Sequence, residues 1–156
     1  MRKPILIVLI AALAIAAAAA GCGDSGSASS AAPLTKAQFI KQGDAICAKA
    51  DKEQVAAYLD FAKDEPKKLE TKSGEEELVT VAGLPPVQEA IEEIGALGIP
   101  EGDESEVEAL VTGMEKALEE AEADPSKVLE SSAVTPFDKT DKMAREYGFV
   151  ACGDTL

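Results

Sequence analysis

The chain has 156 residues, with 29 acidic against 15 basic side chains and no histidine, for a formal net charge of −14 at neutral pH. So acidic a balance excludes a grip on phosphate backbones, which takes clustered lysine and arginine, and no nucleic acid is expected as a partner. It equally excludes electrostatic adhesion to an anionic membrane surface, while the missing histidine removes Ser-His-Asp and Cys-His catalysis and every histidine-bearing metal site.

The amino terminus opens on Arg2 and Lys3 and then runs from Pro4 to Ala20, 17 residues, without a charge or strongly polar group. A basic start, an apolar middle and a small-residue exit make a signal-peptide layout. The run is shorter than the about 20 apolar residues of a spanning helix, is rich in alanine and has no positive flank behind it. A cleaved signal over residues 1–21 is therefore expected rather than an uncleaved anchor. Ala18-Ala19-Ala20 satisfies the small-x-small rule of the ordinary signal peptidase. Ala19-Ala20-Gly21-Cys22 resembles the lipobox of bacterial lipoproteins, departing from it at Ala19, where leucine is commoner. The resemblance implies a diacylglyceryl group on the thiol of Cys22, which becomes the first mature residue. Two acyl chains anchor firmly where one binds marginally, so attachment to the outer face of the cell membrane runs through the lipid at Cys22. Loss of residues 1–21 deletes two bases and no acid, which moves the net charge from −14 to −16.

Residues 22–34 hold the lipidated cysteine and a tether. Gly23 to Pro33, GDSGSASSAAP, has no large apolar side chain and behaves as a flexible linker with a reach of about 20 Å. A folded domain is expected over 35–156. Three cysteines are an odd number for an exported chain; with Cys22 acylated, Cys47 and Cys152 remain, and an oxidising exterior favours their pairing. That bridge closes a loop of about 105 residues and is worth about 4–5 kcal/mol in the chain-entropy view. A redox role would call for a Cys-x-x-Cys spacing, which the chain lacks.

From Thr35 onward helical signals dominate. Thr35 and Gln38 have the spacing of a capping box, and Phe39, Gly43, Ile46, Cys47, Ala50 and Tyr58 recur at helical spacing, predicting one helix from Lys36 to near Ala62. Gly43 inside it suggests close approach by another backbone. Pro66 ends the helix or opens a new turn. Ser73 and Glu76 predict a second capping box and a short helix closing at Gly83. Pro86 suits the first position of a helix with the stripe Val87, Ala90, Ile91, Ile94 and Leu97, and Gly98-Ile99-Pro100 reads as its stop, with Gly98 in the left-handed cap. Asp103 to Ala123 is the strongest helix, with Val107, Leu110, Val111, Met114, Leu118 and Ala121 on one face and Ser105 and Glu108 as a capping box. Its other face carries seven glutamates and Lys116, a solvated face or a dock for a basic partner. Asp124-Pro125 breaks it, a short apolar piece follows around Val128 and Leu129, and Thr135 caps a last helix with Pro136 in first position and Gly148 at its end.

Phe39, Tyr58 and Phe61 fall in the first helix and Phe137, Tyr147 and Phe149 in or just after the last, with no aromatic residue between 62 and 136. Aromatic side chains bury the most area per residue, so the first and last helices are expected to pack aromatic against aromatic, where the bridge also joins them. The aliphatic 86–123 hairpin then completes an all-α bundle of about four to five helices. LTKAQFIKQGDAICAKAD at 34–51, EIGALGIPEGDESEV at 93–107 and AREYGFVACG at 144–153 resemble a group of small exported actinobacterial proteins. Their shared marks are a cysteine in the first helix and a Tyr-Gly segment leading to Cys-Gly. The resemblance implies a helical, disulfide-linked secreted domain and brings no catalytic residues with it.

No catalytic constellation stands out. Carboxylate pairs arise by chance among 29 acids, and acid–base work requires a pKa shifted by burial. PEGDESE at 100–106 offers oxygen ligands but lacks the alternating acids and fixed glycine of a calcium loop, and Met114 and Met143 read as core rather than soft-metal ligands. No cofactor and no metal is expected. Three functions stand: a non-enzymatic, lipid-anchored envelope module that binds a protein, glycan or apolar ligand; a hydrolase using carboxylates alone, which needs two acids about 5–10 Å apart in a cleft; and a structural or regulatory lipoprotein acting on a membrane partner through its acidic helix. The first is the leading reading.

Overall fold

The first helix, α1, spans Lys36–Asp64. Its start is the predicted capping box: the Thr35 hydroxyl accepts the Gln38 N–H at 3.3 Å and the Gln38 side chain accepts the Thr35 N–H at 2.9 Å. Phe39, Gly43, Cys47 and Ala50 are its buried residues, a single stripe at spacings of four, four and three. The structure, a computed structural model, describes residues 33–129 and 134–153; the signal segment, Cys22 and the tether up to residue 32 lie outside them. Among the described residues there is no strand, and no helix is long and apolar enough to cross a membrane.

After α1 the chain turns at Glu65 and Pro66, passes a 3-10 turn at Lys68–Glu70, and enters α2, Lys72–Leu78. The cap of α2 is Thr71, whose hydroxyl accepts the Gly74 N–H at 3.2 Å; Ser73 lies inside the helix, so the Ser73–Glu76 box does not form. Nor does Gly83 end a helix. Val79–Gly83 is a widened π turn that leads straight into α3, Leu84–Gly95, and the Leu84 N–H bonds the Val79 carbonyl. Pro85 and Pro86 follow at the second and third positions of α3. A proline brings no N–H and its ring collides with the carbonyl four residues back, and the wider turn stands where those collisions would fall. α3 buries Leu84, Val87, Ala90, Ile91 and Ile94.

The stop of α3 differs from the expected one. Ala96 closes the helix with a right-handed φ of −82°, and the residue with positive φ in this connection is Gly102, at 91°, not Gly98. Pro100 is fully buried, and burying it needs the sharp reversal further along than local pattern suggests. α4 spans Glu104–Ala123 and buries Val107, Leu110, Met114, Ala117, Leu118 and Ala121. Ser105 is inside it rather than a cap. The N-cap is Asp103, whose side chain makes no capping bond because a distant donor, the Tyr147 hydroxyl, claims it. Asp124 and Pro125 end α4, α5 follows at Ser126–Leu129, and α6 spans Asp138–Tyr147. Thr135 does not cap α6: its hydroxyl donates to the Asp138 carboxylate at 2.8 Å, Pro136 stays outside the helix, and Phe137 precedes the first helical residue.

The helices close a ring. α1 packs on α3, α3 on α4, α4 on α6, and the 3-10 turn Ala151–Gly153 after α6 returns to α1. Gly148 makes the return possible: at φ 120° its N–H reaches the Ala144 and Arg145 carbonyls and the Phe149 N–H bonds the Ala144 carbonyl at 3.0 Å, a Schellman ending. That reversal lays Phe149 back over the bundle. Phe39 meets Tyr147 edge-on at 5.9 Å and Phe149 at 5.8 Å, while Tyr147 and Phe149 stack at 5.5 Å. The expected aromatic junction is therefore present, but three rings make it; Tyr58, Phe61 and Phe137 stand apart from it. Gly43 faces a ring as well. A Cβ there would meet the Phe149 ring, so the close neighbour is an aromatic edge and not a second backbone.

Candidate functional site

Chemistry gathers where the end of α6 meets α1. One turn before Cys47, the Asp44 carboxylate accepts the N–H groups of Val150 at 2.9 Å and Ala151 at 2.8 Å, with the Cys152 N–H at 3.5 Å. Those amides begin the Ala151–Gly153 turn and would otherwise lack partners. Asp44 and Cys47 are three residues apart on a helix and so share a face; the same face receives both the amides and the sulfur of the returning segment. Cys47 and Cys152 are joined by a disulfide with an S–S distance of 2.04 Å and Cα atoms 5.2 Å apart, as the thiol count predicts. The Arg145 guanidinium donates to the Gly153 carbonyl and holds the far side of the turn.

Behind the bridge lies a small recess of about 30 Å³, walled by the two cysteines with Val87, Ile91, Met114 and Phe137. Thr140 and Asp141 supply its polar edge. Thr140 is 3% exposed and its hydroxyl donates to the Phe137 carbonyl at 2.8 Å. At that size the recess has room for about one water and falls far below the about 300–1,000 Å³ of ligand sites, so it is a packing recess and not a binding pocket.

A second cluster sits at the start of α1 and α4. The Tyr147 hydroxyl donates to Asp103 at 2.8 Å. Lys36 places its ammonium 3.8 Å from the Tyr147 ring centre, 3.8 Å from Asp103 and 3.7 Å from Glu106. Burial, then the hydrogen bond to Asp103, pushes the Tyr147 phenol well above its ordinary value. Asp103 is thus spent on a tyrosine 44 residues away, which explains the missing cap of α4. Glu104 in turn accepts the Gly102 N–H through both oxygens, at 3.0 and 3.1 Å. Two of the acids in PEGDESE are therefore committed to the protein's own donors, and no group of three or more Cys, Asp or Glu among the described residues is placed to hold a metal ion.

Among the described residues, the carboxyls displaced from the ordinary range are all displaced downward. Glu89 is held down by the ammonium of Lys49, which bonds Glu89 and Glu93 at 2.7 Å each. Glu104 is held down by backbone N–H groups, its own and that of Gly102, and Asp124 by the Ser126 hydroxyl at 2.6 Å. Depressed carboxyls favour the folded state above their ordinary values and lose that contribution as pH falls through the lowered ones. A general acid at neutral pH needs the opposite displacement.

Of the residues singled out from sequence, Cys47 and Cys152 come together, and Cys22 lies outside the described residues. Sequence reasoning misses Asp44 and Asp103. The i, i+3 relation of Asp44 to a bridging cysteine is the available signal for the first; nothing local marks the second. We expect Asp44→Ala to cost about 1.5–3 kcal/mol, the range for hydrogen bonds to a charged group, measured by denaturant titration, with Asp44→Asn recovering part of it.

Compared with known proteins, the chain matches no family model, no curated protein and no solved structure.

Proposed function

We propose that this chain is a lipid-anchored cell-envelope protein whose helical domain is a non-enzymatic binding module, held outside the membrane on a tether from Cys22. The observation that carries the reading is the Cys47–Cys152 bridge. It uses two of the three thiols and leaves Cys22, in its lipobox-like setting, as the remaining cysteine. A disulfide is also what an oxidising compartment permits. The downward-shifted surface carboxyls favour binding over acid–base chemistry.

Cys22→Ala tests the anchor. The expected result is transfer of the protein from the membrane fraction and the detergent phase to the soluble fraction, with the melting temperature of the domain unchanged. Retention in the detergent phase would overturn acylation at Cys22.

A further inference from the structure

Between α3 and α4 runs an open groove of about 190 Å³. Ile94, Ile99, Val107 and Val111 make its floor, and Glu108 and Glu115 stand on its α4 rim. Ile99 and Val111 are half-buried, so an apolar strip reaches the surface. At 100° per residue, Glu108, Glu115, Glu119 and Glu122 fall within a sector of about 60°, and they extend for about 21 Å along α4. None of the four has an ion pair or side-chain hydrogen bond among the described residues. Lys116, on the same helix, projects about a quarter turn away.

Elsewhere several acids are paired, while others, such as Glu53, Glu70 and Glu75, have no ion pair either among the described residues but do not border this apolar groove. Lys49 serves Glu89 and Glu93, Lys68 serves Glu77 and Glu65, Lys72 serves Glu76, and Lys36 serves Asp103 and Glu106. Solubility alone needs acids scattered over the surface. Here like charges adjoin at Glu115–Glu119 and Glu119–Glu122, spacings that destabilise a helix by about 0.2–0.5 kcal/mol each.

We propose that the α3–α4 groove docks a basic helical segment of a protein partner, in which lysine or arginine side chains lay their methylene stems on Ile99 and Val111 and set their charges against Glu108, Glu115, Glu119 and Glu122. Long cationic side chains combine an apolar stem with a charged head, which is the composition of this groove and its rim in complement. The inference deepens the binding-module reading and rests on it. Charge pairing of this kind speeds encounter and weakens with salt, since exposed charges are screened over about 8 Å at physiological ionic strength.

The test uses the full chain purified in a neutral detergent and a fluorescent synthetic helix of lysine and leucine, followed by anisotropy. The expected result is saturable binding that weakens steeply with salt. The triple change Glu108→Gln, Glu115→Gln and Glu119→Gln should weaken it tenfold or more, whereas Glu53→Gln, Glu70→Gln and Glu75→Gln together should change it less than twofold. Val111→Ser should weaken it severalfold with the charge intact, and circular dichroism melts verify that each variant is folded. Equal losses from the two triple variants would overturn the proposal by showing a bulk-charge effect. An unmoved affinity in the stripe variant or in Val111→Ser, or no binding at all, would overturn it too. A chain that fractionates with membranes yet ignores the peptide refutes the groove alone; a chain that binds the peptide but stays with membranes after Cys22→Ala refutes the anchor alone.

Discussion

Replacing Cys47 and Cys152 together by alanine lowers the unfolding free energy by about 4–5 kcal/mol, and the melting temperature by on the order of 10–20 °C. The bridge spans 105 residues, so cutting it releases most of the folded domain's chain entropy in the unfolded state. The native state should change far less. Asp44 still accepts the Val150 and Ala151 amides, Arg145 still holds the Gly153 carbonyl, and Phe149 still lies against Phe39. Two measurements separate these contributions. Calorimetry or denaturant titration of the double variant gives the loss of stability, with a larger denaturant slope because the unfolded chain is more expanded. Amide chemical shifts of Val150 to Cys152 report whether the turn remains docked. A melting temperature that does not move would show that the bridge adds nothing beyond the packing around it.

Phe39→Ala is the second large effect, an expected loss of about 3–5 kcal/mol. Phe39 is fully buried and meets both Tyr147 and Phe149; each aromatic contact adds about 0.5–1.5 kcal/mol to the area it buries. Neither neighbour can collapse into the vacated space, because the Tyr147 hydroxyl is bonded to Asp103 and Phe149 is fixed by the Gly148 reversal. Phe61→Ala is the matched control. Phe61 is half-buried near the end of α1, outside the three-ring junction, and its truncation should cost much less in the same denaturant titration. Equal costs would mean that the junction is not where the domain's stability is concentrated.

Both effects concern a junction whose members are legible in the residue pattern, though its arrangement is not. Phe39, Cys47, Tyr147, Phe149 and Cys152 stand out because helical spacing and residue type are local properties. The role of Asp44 does not, since its partners are more than a hundred residues away and an acid on a helix is ordinarily a solvated one. Gly43 marks a point of close approach, but what approaches depends on the turn at Gly148 that brings Phe149 back. The caps separate in the same way. Thr35 meets Gln38 as expected because both lie in one turn. Ser105 falls inside α4, Thr135 gives its hydroxyl to Asp138, and the positive φ falls at Gly102 and not Gly98; Asp103, at the N-cap of α4, makes no capping bond and instead accepts the Tyr147 hydroxyl.

The residue pattern by itself determined the helical class, the spans of α1 and α4 to within two residues, the pairing of Cys47 with Cys152 and the aromatic ends that meet. Those follow from 3.6-residue periodicity, from proline and glycine as breakers, and from counting sulfurs. Only the tertiary structure decided which oxygen caps which amide, that Asp44 and not the disulfide alone holds the returning turn, that two prolines are entered through a widened π turn, and that the unpaired glutamates of α4 border an apolar groove. A polar side chain can satisfy a neighbouring amide or a distant donor at similar free energy, so its choice depends on what the fold carries within reach.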